Sequence, residues 1–205
     1  MAERRDILGV ILAGGASRRF GSDKPLALLA GVSLLDRVAA RARVQVGALA
    51  VSGHAAVGRD FAVIADREPG QGPLAAVCGC LEWAGSKGFP LVATFACDAP
   101  FFPLDLVAQL GRTLAASDCV LARSGGREHY AFGLWRTACG AKLVQALAAG
   151  VRSFRDMGPF VDRTFCEVPS SEGPQGDAFF NINRPEDLAV AQTYLSRSGA
   201  IPAGP

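Results

Sequence analysis

The sequence predicts a three-layer α/β fold, with a mostly parallel central sheet and helices on both faces. Three observations carry that prediction. Two runs, Ile7–Leu12 (ILGVIL) and Phe89–Cys97 (FPLVATFAC), are too continuously apolar for strands with one wet face. They read as central strands buried on both sides. Strand-like and helix-like runs alternate along the chain, as βα units do. A loop dense in glycine and cations, Leu12–Lys24 (LAGGASRRFGSDK), follows the first strand, at the end where open α/β sheets place their ligands.

Each further element has its own warrant. Ser33 followed by Asp36 reads as a capping box that opens a helix over Leu34–Val46. Short strands are expected near Ala48–Ser52 and Phe61–Ile64. Pro73, suited to a first helical turn, opens a helix to about Trp83. After the Phe89–Cys97 strand come a helix over Leu104–Leu114, strands over Cys119–Ala122 and Tyr130–Trp135, and a helix over Ala138–Ala149. Strands near Thr164–Val168 and Phe179–Ile182 and a helix from Pro185 complete the set, with Ser170–Gly176 (SSEGPQG) as a loop. No repeat and no linker divides the chain, so residues 1–205 read as a single domain.

Composition narrows the function classes. Of the 205 residues, 50% are apolar and 20% charged, as in ordinary soluble globular chains. The formal charge is only +2 and no Lys/Arg tract stands out, which argues against nucleic acid as a main partner. No apolar run reaches a membrane span and the first residues lack a signal-peptide core, so a cytoplasmic location is expected. The six cysteines (Cys78, Cys80, Cys97, Cys119, Cys139, Cys166) include no C-x-x-C pair and sit among apolar neighbours. They read as free buried thiols rather than zinc ligands or disulfides.

The Leu12–Lys24 loop carries the chemistry. Gly14, Gly15 and Gly21 let the backbone approach a ligand closely, and Arg18, Arg19 and Lys24 stand beside it. Exposed backbone N–H groups and three cations suit a polyphosphate. The competing reading is a glycine-rich turn with solvated arginines. The loop is neither a Walker A motif nor the G-x-G-x-x-G dinucleotide fingerprint. Asp98 ends an apolar strand; by itself it serves equally as a magnesium ligand or as a cap before the Pro100 turn. His54 and His129 have no partner spacing for a metal site or a triad.

The Leu12–Lys24 segment closely resembles the L-A-G-G-x-S-x-R-[MF]-G-x-D-K signature of nucleotide-sugar-type nucleotidyltransferases. Within them the chain is most similar to the molybdenum cofactor guanylyltransferases. Three later segments fit in the same order: GPLAAV (Gly72–Val77), CDAPF (Cys97–Phe101) and FFNINRPEDL (Phe179–Leu188). The resemblance covers Leu8 to about Tyr194. It implies the Rossmann-like nucleotide-diphospho-sugar transferase fold, with a nucleotide-binding half over about residues 1–110 and an acceptor-binding half over about 111–197. It also implies a magnesium-dependent transfer of GMP from GTP to molybdopterin or its molybdenum form, with pyrophosphate as the second product.

Carried onto this sequence, the family pattern implies Lys24, Arg18, Arg19 and Asp98 as the catalytic set, with Asp98 on Mg²⁺. It implies Leu12, Ala13, Gly14, Gly15, Lys24, Ser52, Asp66, Gly72 and Asp98 as nucleotide contacts, and Asn181, Asn183 and Arg152 as acceptor contacts. Asp66 could pair with the N1–H and amino group of guanine, or satisfy its own turn. If Phe179–Ile182 is a strand, Asn181 and Asn183 face one side, which suits a pterin and its phosphate. Arg152, after the Gly150 break, reads as a phosphate contact or as part of a solvated helix face. Three positions depart from the family: Ala76 replaces a glycine, Ser52 an asparagine, and Arg184 a threonine. Arg184 brings no capping oxygen, so Asn183 is expected to take part of that job. Molybdoenzyme chaperones are the further partners implied. Two rivals remain open here: a CTP-dependent nucleotidyltransferase acting on molybdopterin or a sugar phosphate, and a binding module without catalysis.

Overall fold

Side-chain alternation in the first strand sets the layout. Ile7 and Ile11 enter one apolar layer and Leu8 and Val10 the other, and all four are buried. The computed structural model describes residues 3–14, 24–53, 61–65, 71–169 and 172–198. In chain order the strands are β1 (Ile7–Leu12), β2 (Leu28–Leu29), β3 (Val32–Ser33), β4 (Ala48–Ser52), β5 (Ala62–Ile64), β6 (Leu91–Ala96), β7 (Cys119–Ser124), β8 (Arg127–Arg136) and β9 (Arg163–Glu167). The α-helices are α1 (Leu34–Arg43), α2 (Pro73–Ser86), α3 (Leu106–Thr113), α4 (Gly140–Ala148) and α5 (Pro185–Ser198).

The main sheet has seven strands in the order β5-β4-β1-β6-β8-β7-β9. All its pairings are parallel except those of β8, which runs antiparallel to both β6 and β7. Helices α1 and α3 pack on one face around Phe95 and Phe102, and α2 and α4 on the other around Trp135. The three layers expected from the sequence are therefore present. A third cluster joins Leu29, Leu34, Phe101, Ile182 and Ala191, and so seats α5 against the small β2–β3 hairpin. All six cysteines are buried. Burial pushes the Cys139 thiol up to about 12, which suppresses thiolate chemistry.

Several boundaries move for physical reasons. Ser33 caps α1 as expected, its Oγ accepting from the Asp36 N–H at 3.1 Å. The expected Leu104 start of the third helix shifts to Leu106, because the capping oxygen comes from elsewhere: buried Gln45 Oε1 accepts from the Val107 N–H at 2.9 Å. β7 and β8 are longer than expected, because Gly125 and Gly126 (φ 56° and 77°) turn the chain into a tight hairpin.

The expected strand at Phe179–Ile182 is not formed. Asp177 accepts from the Phe179 N–H at its Oδ1 (2.8 Å) and from the Phe180 N–H at its carbonyl (3.2 Å). The Ile182 N–H donates to the Asp98 carbonyl at 2.8 Å. The segment is thus a loop pinned by two aspartates. Its fully buried residues, Phe179 and Ile182, are anchors into two different clusters rather than one face of a strand.

Candidate active site

The carboxyl ends of the parallel strands stop level. Leu12 lies opposite Ser52 and Ala96, and Ser52 opposite Ile64. The chain then bends over this edge in register: Ala13 N–H donates to the Ser52 carbonyl (3.0 Å), Cys97 N–H to Leu12 (3.3 Å) and Gly53 N–H to Ile64 (3.2 Å). β1 sits at the switch point. The chain leaves through α1 to β4 on one side and comes back from β5 through α2 to β6 on the other, and such sheets open a ligand crevice there. Gly53 (φ 112°) passes so near Ala13 and Gly14 that a Cβ there would meet Gly14 N at 3.0 Å.

A cavity of about 310 Å³ opens on this edge, with Leu12, Ala13, Gly14, Lys24 and Asp98 among its lining residues. Lys24 Nζ donates to Asp98 Oδ2 at 2.6 Å and to Asn183 Oδ1 at 2.7 Å. The Lys24 and Asp98 side chains are 16% and 28% exposed, so a ligand can reach both while water only partly screens the pair. The Asn183 and Arg184 N–H groups both donate to Asp187 Oδ2, at 2.8 and 2.9 Å. Asp187, inside α5, therefore caps the approach to that helix. The asparagine expected to share that task points its oxygen at Lys24 instead.

Other expected site residues fall elsewhere. Ser52 is 3% exposed, below the rim, and meets the site through its backbone. Gly72 (φ 86°) allows a close approach, but to protein: a Cβ would lie 2.9 Å from the Arg152 carbonyl. The exposed Arg152 guanidinium donates to the Leu147 and Val151 carbonyls at 2.7 and 2.9 Å, closing the end of α4. It borders a separate cavity between α2 and α4, not the one holding Lys24. Asn181 is half-buried and does not line the Lys24 cavity. Gly15, Arg18, Arg19, His54 and Asp66 lie outside the described residues.

The cavity also has walls that sequence reasoning missed. Ala131 reaches it because β8 bulges: Leu121 pairs with Gly133 and Ala122 with His129, so Tyr130–Phe132 leave the ladder. Phe154, from the loop after α4, forms another wall and stacks parallel to Tyr130 (centroids 6.1 Å apart). His129 is 7% exposed and stacked on Phe179 at 4.3 Å, a core histidine. Burial lowers its pKa from 6.5, Asp177 acting against the shift and Arg127 with it.

Residues 9–162 match the family model for the MobA-like NTP transferase domain. The chain belongs to that family. As a MobA-like NTP transferase it has curated relatives along nearly its whole length. A molybdenum cofactor guanylyltransferase from Rhizobium leguminosarum bv. trifolii is 41% identical over 199 residues, covering 94% of this chain and 94% of its own. Another from Rhodobacter capsulatus is 40% identical over 198 residues, covering 94% and 98%. Among solved structures, molybdopterin-guanine dinucleotide biosynthesis protein A from Archaeoglobus fulgidus shares the fold with a TM-score of 0.73 at 20% identity, over 93% of this chain and 99% of that one. The MobA-like chain thus has the Rossmann-like nucleotide-diphospho-sugar transferase fold that its motifs implied.

Proposed function

We propose that this chain transfers GMP from GTP to the terminal phosphate of molybdopterin, forming the guanine dinucleotide cofactor and pyrophosphate. One observation carries the reading: a cation and a carboxylate, Lys24 and Asp98, meet in the ligand cavity of a chain 41% identical to a molybdenum cofactor guanylyltransferase. An acceptor phosphate oxygen attacks the α-phosphorus of GTP. The new P–O bond forms as the bond to the β-phosphate bridge breaks, and pyrophosphate leaves with the electron pair. A phosphate monoester, with a second pKa of about 6, is already ionised near neutral pH, so no strong general base is needed.

The chain's part is therefore positioning and charge stabilisation. Lys24, with Arg18 and Arg19, neutralises the triphosphate. The Leu12–Gly15 backbone contacts the nucleotide, Ser52 supports Ala13 through its carbonyl, and Asp66 selects guanine. Residues 1–110 form the nucleotide half and 111–197 the acceptor half of one domain. Within the latter, Asn181 borders the acceptor, whereas the Arg152 guanidinium is taken up by the end of α4.

Among the described residues no group of three His, Cys, Asp or Glu could hold a metal. A lone Asp98 nonetheless fits Mg²⁺, which takes one or two carboxylates and completes its shell with phosphate oxygens and water. Asp98 is the residue that would hold it, and the bound ion supplies neutralisation of the leaving pyrophosphate. No described helix is long and apolar enough to cross a membrane. We place the reaction in the cytoplasm, with molybdoenzyme chaperones receiving the product.

The test is pyrophosphate release by purified protein with Mg²⁺, molybdopterin and each nucleoside triphosphate in turn. Release with GTP is expected. Release with CTP alone would keep the chemistry and overturn the base, and no release would leave a binding module.

A further inference from the structure

Asn183 is expected, from its motif, to face the acceptor, yet its side chain is committed to the nucleotide side. Lys24 has no acceptor capacity, so the Asn183 atom 2.7 Å from its Nζ must be the amide oxygen. The contact joins residues 159 positions apart, across the two ends of the fold. The loop that carries it is held at three points. Ile182 N–H donates to the carbonyl of Asp98, the residue whose carboxylate takes Lys24 from the other side. The Asn183 and Arg184 N–H groups converge on Asp187 Oδ2.

From this geometry we infer that Asn183 is a positioning residue for Lys24, and so governs nucleotide affinity even without acceptor. The inference rests on the guanylyltransferase reading. A lysine ammonium rides on a flexible four-carbon stem and loses much rotamer freedom when fixed. Asp98 alone is a poor anchor, because a carboxylate drawn toward a metal slackens its hold on Lys24. A neutral amide oxygen keeps the ammonium aimed into the cavity without neutralising it. Among the described residues Asn183 and Asp98 take two of its three donors, and the third suits a phosphate oxygen. A carboxylate at position 183 would instead compete with phosphate for the same cation.

Calorimetric titration of GTP with Mg²⁺ and no acceptor tests this on wild type, Asn183→Ala, Asn183→Asp, Lys24→Ala and the Lys24→Ala/Asn183→Ala pair. Asn183→Ala is expected to weaken GTP by about 5–10-fold, a part of what one charge-assisted hydrogen bond contributes, and Asn183→Asp by more. The double variant is expected to match Lys24→Ala, since the amide acts through the ammonium. Asp187→Ala, which frees the loop without touching Asn183's side chain, is expected to weaken GTP in the same direction by less. Wild-type GTP affinity in Asn183→Ala would overturn the inference and leave an acceptor contact only. An equal further loss in the Lys24→Ala background would also overturn it, since a collapsed loop does not need Lys24. A wild-type protein that binds no GTP would instead sink the guanylyl reading itself, and this inference with it.

Discussion

On the β5-β4-β1-β6 side of the sheet, all strands run in parallel and stop level. The ligand rim there is made of backbone and the first loop residues. On the β8-β7-β9 side one strand runs backwards. The rim there is made of side chains brought in by a bulge at Tyr130–Phe132 and by the loop bearing Phe154. A parallel edge gives a fixed floor for the shared part of a substrate, which under the proposed function is a nucleotide's phosphates. A wall of bulge and loop can change residue by residue without disturbing the sheet, which suits the variable part. The loop at 177–183 crosses between the two, tied to Asp98 by its backbone and to Lys24 by Asn183.

The sharpest break of this comparison is Lys24→Ala. If the parallel side carries the chemistry, kcat/KM for pyrophosphate release falls by about 10²–10³-fold, roughly 3–4 kcal/mol of transition-state stabilisation. Turnover near wild type would move the central cation to the other side. Next comes Gly72→Ala, where the turn before α2 presses on the Arg152 backbone. A left-handed alanine (φ 86°) with its Cβ 2.9 Å from the Arg152 carbonyl is strained twice. Unfolding in urea should show about 1–3 kcal/mol less stability, and an unchanged midpoint would mean that the contact gives way freely.

The smallest effect concerns the variable side alone. Native His129 holds its proton less tightly than the unfolded chain does, because it is buried. Its contribution to stability is therefore complete above pH 6.5 and is lost as pH falls from 6.5 toward the lowered native value. His129→Phe keeps the stack on Phe179 and should flatten the stability profile below pH 6.5. An unaltered slope would place the titrating group elsewhere.

What the sequence revealed divides along the same line. β1 and β4 begin and end at the expected residues, because parallel central strands announce themselves by unbroken apolar runs. Lys24 and Asp98 stood out through the family motifs that hold them, since by itself Asp98 read equally as a cap before the Pro100 turn. The other side hides its logic in long-range partners. The amide that caps α3 comes from Gln45, 62 residues away, which no local pattern displays. Phe179–Ile182 mimics a strand because its two anchors fall three residues apart and point into separate clusters. Arg152 looked like a free cation, yet its donors close a helix end. The Gly125–Gly126 pair is a hairpin turn signal that the expected strand ends at Ala122 and Tyr130 left unused, and Phe154 carried no signal beyond its place after a glycine break.

The reversed strand β8 also sets the order in which the molecule can be finished. During synthesis β1, β4, β5 and β6 leave the ribosome first, and β6 then presents an apolar edge with no neighbour. Its cover lies well downstream: Thr94 and Trp135, whose indole N–H donates to the Thr94 hydroxyl at 3.1 Å, are 41 residues apart. Until β8 slides into that gap, the edge is open to any other nascent strand. Overproduction that outpaces this insertion would lose chain to edge-to-edge pairing, and slowing translation past Trp135 would recover it.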